Sequence, residues 1–307
     1  MSGKLDILFA ANDSIALRTL QEVCGSFNVV GVLSGKGRAE PQISAFAKEM
    51  GLPVLIPERL SQAERDQVSA LGANFLLSFS ISRIFGPKFL SLFSKGSMNI
   101  HPSLLPSLRG PSPIQYSILE GLERSGISFQ SISLGMDEGD IYHSVLFDIA
   151  HDDDTLSLRE KVSLLASQAV CDVLRNHLDS RTAQSGEASY SRQISKDDGR
   201  VDFQNDSAVR ISRKVRAYCI WPKCYCYFNG ELLFFESVEA DGAAGLQSDA
   251  KPGTIIGFDS GRGSMNVATV DGVLRVMRLR KDKRKSMGAM DFYNGNRKLL
   301  SSGVVLE

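Results

Sequence analysis

Apolar positions in the first third of the chain fall in short runs, separated by stretches with helical spacing. The run Leu5–Ala10 reads as a parallel strand covered on both faces. A helix over Ser14–Val23 follows, capped by Asn12 or Asp13. Then come a strand at Asn28–Leu33 and a helix at Gln42–Met50 that ends on Gly51. A short strand near Val54–Ile56, a helix at Ser61–Leu71, a strand at Asn74–Phe79, a helix at Pro87–Phe93 and a strand at Ser97–Ile100 continue the alternation. Such alternation predicts a mostly parallel, Rossmann-like α/β sheet.

Further on, Ser128–Leu134 and Ser144–Ile149 read as strands. The helix Leu156–Leu178 follows, with Leu158, Val162, Leu165, Ala169, Val173 and Leu178 on one face. His151-Asp152-Asp153-Asp154 before it reads as acidic capping rather than as a metal site. His143 and His177 have no partner at useful spacing and read as structural. Residues 179–190 are polar, small and without period, the mark of a linker. A basic helix at Ser207–Ala217 and short strands near Cys224–Phe228, Leu232–Val238, Gly253–Phe258, Met265–Thr269 and Gly272–Leu279 follow. They predict a small antiparallel, OB-like β-barrel. The domain plan is therefore 1–178, a linker at 179–203, and a barrel domain at 204–307.

Composition adds limits. A length of 307 residues suits two domains, and 43% hydrophobic with 23% charged residues is ordinary for a soluble globular protein. No apolar run approaches the ~20 residues of a membrane helix. The first apolar segment, ended by Asn12 and Asp13, is expected to be a buried strand rather than a signal peptide. A cytoplasmic location, away from membranes, is the expectation. The five cysteines (Cys24, Cys171, Cys219, Cys224, Cys226) form no Cys-x-x-Cys pair, which argues against disulfides and structural zinc. Cys224 and Cys226 share a strand face and read as small apolar core side chains rather than a metal pair. Net charge is zero, yet residues 1–180 carry 15 Lys and Arg against 20 Asp and Glu, and residues 181–307 carry 20 against 15. The basic second half suggests a polyanionic partner. Arg210, Arg213 and Lys214 on the basic helix, with Lys281, Lys283, Arg284 and Lys285 after the last strand, point to nucleic-acid contact. Ala11-Asn12-Asp13-Ser14 replaces any Gly-x-Gly-x-x-Gly after the first strand, against dinucleotide binding of the usual kind.

The candidate chemistry lies between Asn99 and Asp140. Asn99 and His101 are two apart at a strand end, so both side chains face one way. That edge is where open α/β sheets place ligands. Pro102, Pro106, Gly110, Pro111 and Pro113 break the next stretch of chain into a shaped loop. Asp137, in Asp137-Glu138-Gly139-Asp140, supplies a carboxylate within reach of the imidazole. Amide, imidazole and carboxylate suit proton transfer and oxyanion stabilisation.

The series Asn99-Ile100-His101-Pro102-Ser103-Leu104-Leu105-Pro106, then Arg109-Gly110-x-x-Pro113-Ile114 and Gly135-Met136-Asp137-x-Gly139-Asp140, resembles the signature of the folate-dependent formyltransferases. In the second half, Tyr190-Ser191, Ile194, Lys196, Asp198, Val201-Asp202-Phe203, Arg216-Ala217-Tyr218, Trp221-Pro222 and Gly253-Thr254-Ile255 resemble, in order, the tRNA-acting members of that family. Resemblance thus spans nearly the whole chain. Two places depart: the family's Gly-Thr-Pro after the first strand is Ala11-Asn12-Asp13, and its long basic loop after the second strand is cut to residues 34–40.

The resemblance implies 10-formyltetrahydrofolate as formyl donor, bound as a substrate without metal, and the methionine α-amino group of initiator methionyl-tRNA as acceptor. It implies catalysis by Asn99, His101 and Asp137, and a folate wall at Ser103, Leu104, Leu105 and Pro106. Arg38 would match the shortened loop's key arginine. Arg109 is either an acceptor contact or a loop anchor, and Leu104 and Leu105 either line the wall or pack inward. A monomer is expected. Two rivals stand beside this reading. One is a transferase acting on a small amine such as a nucleotide-linked amino sugar, which the short loop favours and the basic tail opposes. The other is an RNA-binding protein with a decayed site, which intact Asn99, His101 and Asp137 oppose.

Overall fold

The computed structural model describes residues 4–35, 40–240, 249–300 and 304–307. Arg38 therefore lies outside the described residues. The chain divides into two compact units, one of Met1–Ser117, Glu123–Ala150 and Ser157–Gln193, the other of Ile118–Leu122, His151–Leu156 and Ile194–Glu307.

In the first unit, β1 (Asp6–Ala10), β2 (Asn28–Leu33), β3 (Val54–Leu55), β4 (Phe75–Phe79), β5 (Ser97–His101), β6 (Arg124–Ser131) and β7 (Ile141–Asp148) form one sheet in the order β3-β2-β1-β4-β5-β6-β7. The first five pair in parallel, and β6 and β7 add antiparallel. Helices α1 (Leu17–Ser26), α2 (Pro41–Glu49), α3 (Gln62–Ala70) and α4 (Pro87–Leu90) connect the parallel strands. The chain winds outward from β1 in both directions, so right-handed crossovers fall on opposite faces. That explains the unbroken apolar strands: Ile7, Leu8, Phe9 and Ala10 are all fully buried, as are Phe75, Leu76, Leu77 and Phe79. One side of the core gathers Leu8, Leu33, Val68, Leu76, Phe85, Phe89 and Phe93.

Several local expectations shift, among them the strand expected at Ser144–Ile149, which runs over Ile141–Asp148, and the helix expected at Pro87–Phe93, which ends at Leu90. The proline-rich loop contains a helix, α5 (Pro113–Leu119), with proline at its first position, where the missing N–H costs nothing. The strand expected at Ser128–Leu134 runs over Arg124–Ser131 instead. Gly126 lies inside it because a Cβ there would meet Leu104 Cδ2 at 2.3 Å and Val145 O at 2.5 Å. After β7 comes α6 (Thr155–Asn176).

The second unit is a separate antiparallel sheet. α7 (Ala208–Ala217) precedes β8 (Cys224–Phe228), β9 (Glu231–Ala240), β10 (Ile255–Asp259), β11 (Ser264–Ala268), β12 (Val273–Lys281) and β13 (Met287–Gly288). The order is β10-β11-β12-β9-β8, with β13 on β12. α7 is capped by Ser207, whose hydroxyl accepts from Arg210 N, and buries Ala208, Ile211, Val215 and Ala217 against β9 and β12. A last helix, α8 (Ala289–Leu300), lies outside the elements the pattern predicts and buries only Ala289 and Phe292. Phe292 packs edge-on against Phe228, 5.0 Å between ring centres. Cys224 and Cys226 are buried, and burial pushes the Cys224 thiol up to about 12 and Cys226 up as well, so both act as apolar core thiols.

Candidate active site

The site forms where β5 ends beside β4 and β6. Register sets Ser78 of β4 and Gln130 of β6 on either side of Asn99, and Ser128 beside His101. The Ser78 hydroxyl donates to Asn99 Oδ1 at 2.8 Å. This fixes the amide with its oxygen inward and presents Nδ2 as a donor.

His101 is 4% exposed, and its Nε2 lies 2.9 Å from Leu108 O. A carbonyl only accepts, so Nε2 carries a proton there, and Nδ1 is the exchangeable nitrogen. Nδ1 lies 3.5 Å from Asp137 Oδ1. Asp137 sits at φ +55°, a left-handed conformation that Asp tolerates better than most residues. Its Oδ2 accepts from Gly110 N at 2.8 Å and its Oδ1 from Gln130 Nε2 at 2.9 Å. The two glycines of the motif have steric reasons. A Cβ on Gly139 would lie 1.7 Å from Ser131 O, and one on Gly110, at φ +106°, would lie 2.3 Å from Ser191 O.

The loop between His101 and Gly110 is fastened from β6. Ser128 Oγ donates to Ser103 O at 2.8 Å and accepts from Leu105 N at 3.0 Å. Ser103 is buried, with its hydroxyl donating to Ser107 O at 2.5 Å. Leu104, Leu105 and Pro106 are half-buried, and Leu104 rests against Gly126. From the other side the stretch read as a linker bonds to this unit. Thr182 pairs with Ile141, Arg109 N donates to Ser189 O at 2.9 Å, and Ser191 N donates to Arg109 O at 2.7 Å. Arg109 is bonded within this unit: Nη2 donates to Gln184 Oε1 at 2.8 Å and Nε to the same oxygen at 3.2 Å, with its side chain 13% exposed.

The basic residues separate by burial. Lys214 is not a free cation: Nζ lies 2.9 Å from Asp206 Oδ2 and 2.6 Å from Arg200 O, and the side chain is 12% exposed. Lys281, expected in a loop, ends β12; Nζ donates to Asn296 Oδ1 at 3.1 Å and stands over the Phe228 and Phe292 rings. Arg213 lies over Gly121, whose added Cβ would meet the guanidinium at 2.2 Å. Arg210 is paired with Asp206 but largely exposed. Lys283, Arg284 and Lys285 are exposed in the turn after β12. The acidic run before α6 faces Arg216, whose Nη1 donates to Asp153 O at 2.7 Å.

Ser78, Ser128, Gln130 and Gln184 went unread in the sequence. Gln130 faces Asn99 only through the antiparallel register, and Gln184 stands in a polar stretch with no local signal.

An amide donor, an imidazole with one committed nitrogen and a tethered carboxylate, set where a parallel strand of the sheet ends, can stabilise a developing oxyanion and move a proton. Residues 18–174 match the formyl transferase family, residues 193–297 match the formyl transferase C-terminal domain, and the chain belongs to that family. Its relatives narrow the placement. A methionyl-tRNA formyltransferase from Borrelia hermsii is 36% identical, covering 96% of this chain and 98% of the relative. One from Treponema denticola is 30% identical over 97% and 98%. Within the family, the chain falls among the methionyl-tRNA formyltransferases. The fold is similar to an N-formyltransferase from Helicobacter canadensis in complex with folinic acid and dTDP-3-aminofucose, with TM-score 0.65, 17% identity, and coverage of 90% of this chain and 99% of that one. Among the described residues no helix is long and apolar enough to cross a membrane.

Proposed function

We propose that the chain transfers the formyl group of 10-formyltetrahydrofolate to the methionine α-amino group of initiator methionyl-tRNA, as a cytoplasmic monomer. The observation that carries the reading is the tethered Asn99–His101–Asp137 set at the β5 edge, in a chain related end to end to methionyl-tRNA formyltransferases. The neutral amine attacks the formyl carbon and a C–N bond forms, while the carbonyl electron pair moves to oxygen. Asn99 Nδ2 donates to that oxygen. Nδ1 of His101, backed by Asp137 Oδ1, takes the proton lost by the attacking nitrogen and returns one to the folate nitrogen as its C–N bond breaks. Both leaving and entering groups are amines, so no side-chain nucleophile is needed. Ser103, Leu104, Leu105 and Pro106 wall the folate side, where the half-buried apolar faces of Leu104, Leu105 and Pro106 suit a flat heterocycle. Lys283, Arg284 and Lys285, with Arg210, contact the tRNA backbone. Arg38, in the shortened loop, meets the acceptor end.

The test incubates the protein with 10-formyltetrahydrofolate and initiator or elongator methionyl-tRNA, following formyl-methionine. Formylation of the initiator alone is expected. Formylation of neither, with a dTDP-linked amino sugar formylated instead, would overturn the acceptor. Sedimentation of a dimer would overturn the monomer.

A further inference from the structure

We propose that Gln184 is a positioning residue for Asp137, reaching the site from the polar stretch after α6; the inference rests on the formyl-transfer reading of that site. The Gln184 amide is used on both sides. Its Oε1 accepts two bonds from Arg109, at 2.8 and 3.2 Å. Its Nε2 donates to Asp137 O and to Gly139 O, each at 2.8 Å. The amide's orientation is therefore determined by its partners: two donors face its oxygen and two carbonyls face its nitrogen. It also approaches Gln130 Oε1 at 3.5 Å, and Gln130 Nε2 holds Asp137 Oδ1 at 2.9 Å.

Asp137 is thus held at its backbone by one glutamine and at its carboxylate by another. Such holding matters because Asp137 at φ +55° is in the left-handed region, which Asp tolerates but does not favour over its ordinary conformations. Gly139 must also stay pressed on Ser131 O for the turn to close. Without the two Gln184 donors the turn is freed on the side facing Arg109, and the carboxylate drifts from His101 Nδ1.

The experiment compares Gln184→Leu and Gln184→Glu, alone and combined with Asp137→Asn. Glutamate keeps an acceptor for Arg109 but loses both donors to the turn, so equal losses in the two variants assign the effect to the turn rather than to Arg109. Each single variant is expected to lower kcat about 10- to 100-fold, with KM for tRNA within about 2-fold, as a misplaced reacting group does. In the Asp137→Asn background the further loss is expected to stay below about 3-fold, since a residue acting through Asp137 is non-additive with it. Hydrogen exchange of the peptide spanning residues 132–141 is expected to quicken in both variants, and this readout needs no turnover. Faster exchange in a protein that formylates no tRNA would keep the positioning role and reject the acceptor reading. Unchanged exchange, additive losses in both backgrounds, or an effect confined to KM would overturn the role of Gln184.

Discussion

Replacing Lys214 with methionine should weaken the fold while leaving the salt dependence of tRNA binding unchanged. The side chain is 12% exposed, and its ammonium is shared between Asp206 Oδ2 at 2.9 Å and Arg200 O at 2.6 Å. Removing one partner of a buried pair costs ~3–5 kcal/mol when the other is left bare. Here Asp206 would keep Arg210 Nε at 2.8 Å and the Asp202 N–H at 3.2 Å. The loss therefore falls nearer the ~1–3 kcal/mol of a partly unsatisfied buried acceptor. Asp206→Ala strips Lys214 of the carboxylate it is paired with and should cost more, ~3–5 kcal/mol. Lys283, Arg284 and Lys285 are exposed, so changing all three to Gln should alter stability by only ~0.5 kcal/mol or less per position. Three lost phosphate contacts at ~0.7–0.9 each should instead flatten the slope of log Kobs against log salt by ~2–3. Urea unfolding gives the first quantity, and filter binding between about 50 and 200 mM salt gives the second. Lys214→Met with unaltered stability and a slope flattened by about one would refute the assignment and return Lys214 to the tRNA surface.

Two further perturbations test the framework. Gly139→Ala places a methyl 1.7 Å from Ser131 O, so the turn must move; kcat should fall about 100-fold at ~1–3 kcal/mol of stability, whereas Gly25→Ala on α1, with nothing within 4 Å, should leave turnover unchanged. Equal kinetics in the two variants would sink the steric account of the motif glycine. The second concerns pH. His143 is pushed below its ordinary range by burial first and then by His177, 4.8 Å away between ring centres, with Asp172 opposing. A depressed histidine leaves the unfolded state binding the proton first, so stability should decline as pH falls through ~6.5 and level off below the folded value. His143→Gln should flatten that decline in urea midpoints, and an unchanged decline would place the titrating group elsewhere.

Much of the fold was readable because strand and helix periods are local. Asn28–Leu33 and Cys224–Phe228 appear with their expected limits, since short apolar segments bounded by turns leave little choice of boundary. The strand through Gly126 and the helix at Pro113–Leu119 escape a reading of the pattern for the same reason. A glycine and a proline look like breaks until Leu104 is seen to need the space and proline is seen at the helix start. α8 also escaped the reading, and it buries only Ala289 and Phe292.

By itself the sequence determined that strands and helices alternate, that Asn99 and His101 share a face, and that Asp137 stands in a turn. Each comes from residues one to a few positions apart. Only the tertiary structure decided which nitrogen of His101 is free, because Leu108 O claims the other. It alone set Gln130 against Asp137 through the register of β5 and β6, and brought Gln184 back onto the turn. It also separated Lys214 and Lys281 from Lys283, Arg284 and Lys285, residues of like charge whose surroundings differ. A side chain's charge and hydrogen-bonding groups are written in its residue type. Which partner they meet, and how much water remains around them, depends on where distant segments of the chain return.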